Sequence, residues 1–172
     1  MKMIGKKLYH NIKSHYQDIM TSFYNCKLEK KHSLIINFHE IDLDKNDIFS
    51  YEFSKFQDLI NKFLDLDLSI GDAYSAIRGD VNIGITFDDA YASSSKAIEW
   101  LLKKNIFSSI SVITCKTAPS FKEYLNLSDL KEFCKNGVEI ISHSINHYNF
   151  TRIDSKQRKI ELCESKQILE NE

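Results

Sequence analysis

Four short apolar runs alternate along this chain with stretches whose apolar residues recur every three or four positions, and that alternation leaves few folds open. The runs are SLIINFHEI (Ser33–Ile41), VNIGITF (81–87), SSISVITC (108–115) and VEIISHS (138–144). Each is short, rich in β-branched residues and apolar throughout, as a strand buried on both faces would be. Between the first two lies SYEFSKFQDLINKFLDL, where Phe53, Phe56, Leu59, Ile60 and Phe63 share one helical face. Helices are likewise predicted in SSSKAIEWLLKKN and NLSDLKEFCKNG, the second closed by Gly137. The last, IDSKQRKIELCESKQILENE, begins at a capping Asp154 with Gln157 placed for a capping box, and it presents Ile160, Cys163 and Ile168 as an apolar face. Strand followed by helix, repeated, predicts an α/β fold of parallel β/α units.

The chain has 172 residues, 42% of them hydrophobic, enough to fill the core of one domain. A formal net charge of -1 supplies no basic field, so nucleic acid is excluded as an expected partner. The basic N-terminus has no apolar core or cleavage site of a secretory signal, and no run reaches the ~20 apolar residues of a membrane span, so a cytoplasmic protein without a transmembrane segment is expected. Cys26, Cys115, Cys134 and Cys163 are scattered, with no Cys-x-x-Cys pair; they are expected to be buried free thiols. Residues 1–32 read as a polar, helical extension in which His10, His15 and His32 are assigned no role, and residues 33–172 as the domain.

In parallel β/α folds the reactive groups gather where the loops leave the carboxyl ends of the strands. Asp88 and Asp89 end the second run, His143 ends the fourth with His147 four residues on, and His39 and Glu40 end the first. Two imidazoles and a carboxylate form an open metal site, and a further carboxylate beside it can act as general base. Each residue alone has a plainer reading. An Asp-Asp pair also serves as a turn or helix cap, and His39 as a hydrogen-bonded pocket histidine. Ser144 stands where the glutamate of His-Glu-x-x-His would be, which excludes the simple metalloprotease reading.

Thr86-Phe87-Asp88-Asp89 followed by His143-Ser144-Ile145-Asn146-His147 resembles the first two motifs of the polysaccharide deacetylases, the NodB-homology carbohydrate esterases. Those motifs read Thr-Phe-Asp-Asp-Gly and His-Ser/Thr-x-x-His. INFHEI, AIEWLLKKNIFSSISVIT and LSDLKEFCKNGVEIISHS are similar to the family's flanking segments, so the resemblance spans roughly residues 33 to 170. It implies the N-terminal part of a deformed (β/α) barrel. It further implies Asp88 as general base, Asp89, His143 and His147 as ligands of a divalent metal, most often zinc, and Ser144 as a brace. His39 and Tyr91 would line the sugar groove. The implied reaction is hydrolysis of an N-acetyl group on an amino sugar of a polysaccharide or glycoconjugate precursor.

Two departures stand out. Ala90 replaces the glycine of the first motif, which matters if that position needs a positive φ. The family's later motifs, which carry an arginine that orients the base and a histidine acid, have no counterpart in this sequence, and a closed barrel usually takes about 250 residues. The chain is therefore expected to be a truncated domain whose C-terminal half is missing. The alternatives are a catalytically inactive carbohydrate- or partner-binding remnant and a hydrolase of another acyl group, such as a deformylase.

Overall fold

A computed structural model describes residues 33–41 and 50–172. The expected extension over residues 1–32, with its three histidines and Cys26, lies outside the described residues.

The four apolar runs form β1 (Leu34–Phe38), β5 (Ile83–Phe87), β6 (Ser109–Val112) and β7 (Glu139–Ser142), joined in that order in one parallel sheet. A fifth strand, β4 (Ile70–Gly71), pairs with the first half of β5 through Ile70↔Ile83 and Gly71↔Gly84, while β6 pairs with its second half at Thr86 and Phe87. The first run breaks at His39. Its remainder, β2 (Glu40–Ile41), pairs with β3 (Ser50–Tyr51) in a separate two-stranded ribbon.

The helices are α1 (Phe53–Asp65), α2 (Ala73–Arg78), α3 (Ser95–Lys103), α4 (Leu127–Lys135) and α5 (Ser155–Glu170). At the end of α4, Gly137 (φ 92°) sends its amide to Cys134 and Val138 sends its own to Phe133, a Schellman closure that requires the left-handed backbone glycine adopts freely. None of the helices among the described residues is long and apolar enough to cross a membrane.

β5 and β6, in the middle, are buried at every residue. The outer strands depart from the expectation of runs buried throughout. Leu34 and Ile35 of β1 are exposed and β7 is half-buried, because a strand at the end of the sheet has neighbours on one side only. The three thiols among the described residues are free, but Cys134 and Cys163 are exposed and Cys115 half-buried, contrary to the burial expected of them. Both exposed cysteines lie on helices, Cys134 on α4 and Cys163 on α5.

The aromatic core explains how the sheet edge is held. Phe56 of α1 is fully buried, edge-on to Phe38 at 5.0 Å and 5.9 Å from Phe87, with Trp100 of α3 at 6.1 Å. Phe38 and Phe87 are register partners and immediately precede His39 and Asp88. Phe56→Ala should therefore cost about 3–5 kcal/mol of stability. Chemical denaturation of the two proteins measures it, and a loss below about 1 kcal/mol would mean that the site does not rest on this cluster.

Candidate metal centre

All four long strands run parallel, so their carboxyl ends share one edge. Asp88 and Asp89 follow β5, the segment Thr114–Lys116 follows β6, and His143 follows β7. The Asp88 amide donates to the Phe38 carbonyl at 2.7 Å, extending the β1–β5 pairing by one residue. The chain then turns through two left-handed residues, Asp89 (φ 67°) and Ala90 (φ 58°). Position 90 thus has the conformation that glycine adopts without strain, and the buried alanine holds it at a cost. The Leu125 amide fixes the turn from outside by donating to the Ala90 carbonyl.

The two aspartates have different environments. Asp88 is buried and its carboxylate is well supplied with donors: Oδ1 accepts from Ser111 Oγ at 2.8 Å and Thr86 Oγ1 at 3.0 Å, and Oδ2 accepts from Asn37 Nδ2 at 2.8 Å. A carboxylate has about four lone-pair sites. Three are used here, which leaves the free one on Oδ2. Asp89 is equally buried, yet its Oδ1 has no hydrogen-bond partner. Instead it faces two imidazole nitrogens, Nε2 of His143 at 3.4 Å and Nε2 of His147 at 3.7 Å.

Asp89, His143 and His147 each bring one donor atom within 4.8 Å of the others. Tetrahedral coordination with bonds of 2.0–2.1 Å sets donors about 3.4 Å apart. The carboxylate-to-imidazole distances match that spacing, and an orphaned, buried carboxylate oxygen is what a cation would satisfy. The residues present therefore fit a divalent metal. His143 is half-buried and His147 exposed, so the open side of the triad faces solvent.

The turn that carries the histidines is bonded at every amide. His143 donates to Val112 O, Ser144 to Ser142 Oγ, Ile145 and Asn146 to Glu161 Oε2, and His147 to Ser144 Oγ at 3.0 Å. Ser144 lies at the centre of this turn, with φ 67°. Glu161, a residue the sequence reading passed over, is fully buried. Burial works to raise its carboxyl, but the hydrogen bonds from the Asn146 side chain and amide, the Ile145 amide and Gln157 outweigh it and hold the carboxyl below the ordinary glutamate range.

Glu161 and Ser165 are the buried residues of α5, whereas Cys163 and Ile168 of its apolar face are exposed. Asp154 caps the helix as expected, accepting from the Gln157 amide at 2.7 Å. The Gln157 side chain, however, lies 3.5 Å from Glu161 instead of closing a capping box.

Of the two lining candidates, Tyr91 stacks on Tyr124 with centroids 4.9 Å apart, and burial, followed by the Tyr124 hydrogen bond, raises its hydroxyl above the usual tyrosine range. The Asp89 and Glu40 charges act in the same direction. His39 stands at the break between β1 and β2, its carbonyl accepting from Ser94 Oγ at 2.6 Å, and does not join the triad.

A parallel β/α sheet with an Asp/His/His cluster at its carboxyl edge defines an α/β protein whose clustered side chains could hold a metal ion. A family model described as Polysaccharide deacetylase matches residues 77–171, more than half of the chain, and includes all three of these residues and Asp88. The chain belongs to the polysaccharide deacetylase family. It is 29% identical over 87 residues to YxkH of Bacillus subtilis, named as a polysaccharide deacetylase, covering 51% of this chain but only 31% of that protein. Its fold is similar to that of the Streptococcus pyogenes deacetylase PplD, solved in complex with acetate (TM-score 0.73, 20% identity, 81% of this chain and 68% of that one). A polysaccharide deacetylase from Bacillus cereus is also similar (TM-score 0.66, 22% identity, 80% and 46%). The parallel sheet thus corresponds to part of a NodB-type (β/α) barrel, as the sequence motifs imply.

Proposed function

We propose that this chain carries the metal-binding half-site of a metal-dependent carbohydrate N-deacetylase, with Asp89, His143 and His147 as ligands and Asp88 as general base. One observation carries the reading: an unpartnered, buried carboxylate oxygen faces two imidazole nitrogens beside a second carboxylate held separately by three neutral donors. Zinc suits two imidazoles and a carboxylate. A divalent ion there supplies Lewis acidity, acidifying water towards neutral pH and polarising an acyl carbonyl.

The protein's own residues supply position and proton transfer. Asn37, Thr86 and Ser111 fix the rotation of the Asp88 carboxylate, so its free lone pair on Oδ2 has one direction. Asp88 takes a proton from the attacking water, whose oxygen bonds to the acetyl carbon. The carbon–nitrogen bond then breaks, and the proton held by Asp88 is available to the leaving amine. Acetate and a free amino sugar result. Tyr91, its ring backed by Tyr124, would offer an aromatic face to the sugar, and His39 would line the groove on the β1 side.

Acetate release from an N-acetylglucosamine oligomer, measured with the purified chain, tests the reading. Release that requires added zinc and stops with a chelator is expected. Saturable glycan binding with no hydrolysis at any metal concentration would overturn it in favour of a binding remnant of the fold.

A further inference from the structure

The geometry of the two histidines is set from a helix that lies outside both motifs. Oε2 of Glu161 receives the Ile145 amide at 2.9 Å and the Asn146 amide at 2.8 Å, and Oε1 receives Asn146 Nδ2 at 2.8 Å. Glu161 is fully buried, and among the described residues no lysine or arginine forms an ion pair with it. Its charge is met by the donors of the histidine turn and by Gln157. A buried carboxylate with no cation partner stays charged only where hydrogen-bond donors surround it, so the turn and Glu161 hold each other in place.

The turn needs such a hold. Ser144 and His147 both sit in the left-handed region, at φ 67° and 58°, a conformation that persists in non-glycine residues only when the surroundings over-determine it. The two amides that Glu161 captures lie between these positions. Attachment of α5 to the sheet has a separate support, because Ser165 Oγ contacts Ser142 Oγ and donates to the Glu161 carbonyl. The carboxylate of Glu161 is therefore free to serve the turn.

We propose that Glu161 is a positioning residue for the metal centre: it fixes the 143–147 turn so that Nε2 of both histidines faces Asp89 before any metal arrives. This rests on the metal-site reading above. Partners that orient metal ligands contribute about 10–100-fold in affinity when removed, and Glu161 acts on two ligands at once through one turn. A role confined to stapling α5 would instead lower stability and leave the affinity of the folded chain unchanged.

Glu161→Gln separates the two. Glutamine keeps the volume and one oxygen for the two amides, but loses the charge and turns an NH2 group towards Asn146 Nδ2. Zinc affinity of the folded chain is read by calorimetry, and amide hydrogen exchange at Ile145 and Asn146 is read without metal. The expected result is zinc binding weakened by about 10–100-fold and faster exchange at those two amides, with β5 and β6 protected as in the wild type. Wild-type affinity and wild-type protection in folded Glu161→Gln would overturn the proposal. Should that variant fail to fold, Asn146→Ala, which removes only the side-chain bond, is read in the same way and should show a smaller change of the same sign. A wild-type chain that binds no zinc would defeat the metal reading; the exchange comparison would then decide separately whether Glu161 sets the turn.

Discussion

Asp88→Asn is expected to lower acetate release by about 10²–10⁴-fold, the usual contribution of a positioned general base. Zinc affinity should change little, since Asp88 is not one of the three residues that converge on the metal position. The substitution should also spare the fold. Its oxygen can accept from Thr86 and Ser111 as Oδ1 does now, and the Asn37 amide can turn to present its own oxygen to the new NH2 group. What is lost is the capacity to take a proton at the free lone pair. Parallel measurements of acetate release and zinc binding check this, and unchanged release in the variant would remove Asp88 from the role of base.

The neighbouring substitution should behave in the opposite way. Asp89→Asn is expected to weaken zinc binding by at least about a hundredfold, since losing a direct ligand should exceed the loss of a residue that only orients one. The metal-free protein should at the same time melt no lower than the wild type. Asp89 Oδ1 is buried without a hydrogen-bond donor, so exchanging the carboxylate for a neutral amide relieves a desolvated charge. Each kcal/mol relieved would raise the melting temperature by about 2–4 °C in a domain of this size. Thermal melts with and without zinc read both effects. A variant that binds zinc as the wild type does would exclude Asp89 as a ligand.

The motif residues were legible because strand ends leave a clear trace in sequence. VNIGITF is apolar throughout and ends abruptly in two carboxylates, and β5 is buried at each of its residues and ends at Phe87. The same reasoning overreached for the first run. SLIINFHEI looks continuous, but the structure breaks it at His39 and leaves Leu34 and Ile35 exposed at the sheet's edge, a position that composition does not report. β4 and α2 went unread for a different reason: two and six residues are too short for a period to show.

Glu161 is the most instructive omission. Apolar spacing on α5 points to Ile160, Cys163 and Ile168, and a glutamate on a polar helix reads as a solvated residue. Inward orientation of Glu161 and Ser165 is decided by the partners they meet, the open amides of the histidine turn and Ser142. Those amides are open because Ser144 and His147 leave regular backbone geometry, which is a property of the folded turn. Only the four-residue spacing of Gln157, Glu161 and Ser165 hinted at a polar stripe facing inward.

The most direct measurement of the central claim is the metal content and zinc affinity of the purified chain, by elemental analysis and calorimetry. Binding of about one zinc ion per chain, lost in both His143→Ala and Asp89→Asn, is the predicted result. A soluble, folded chain that takes up no specific metal would contradict it.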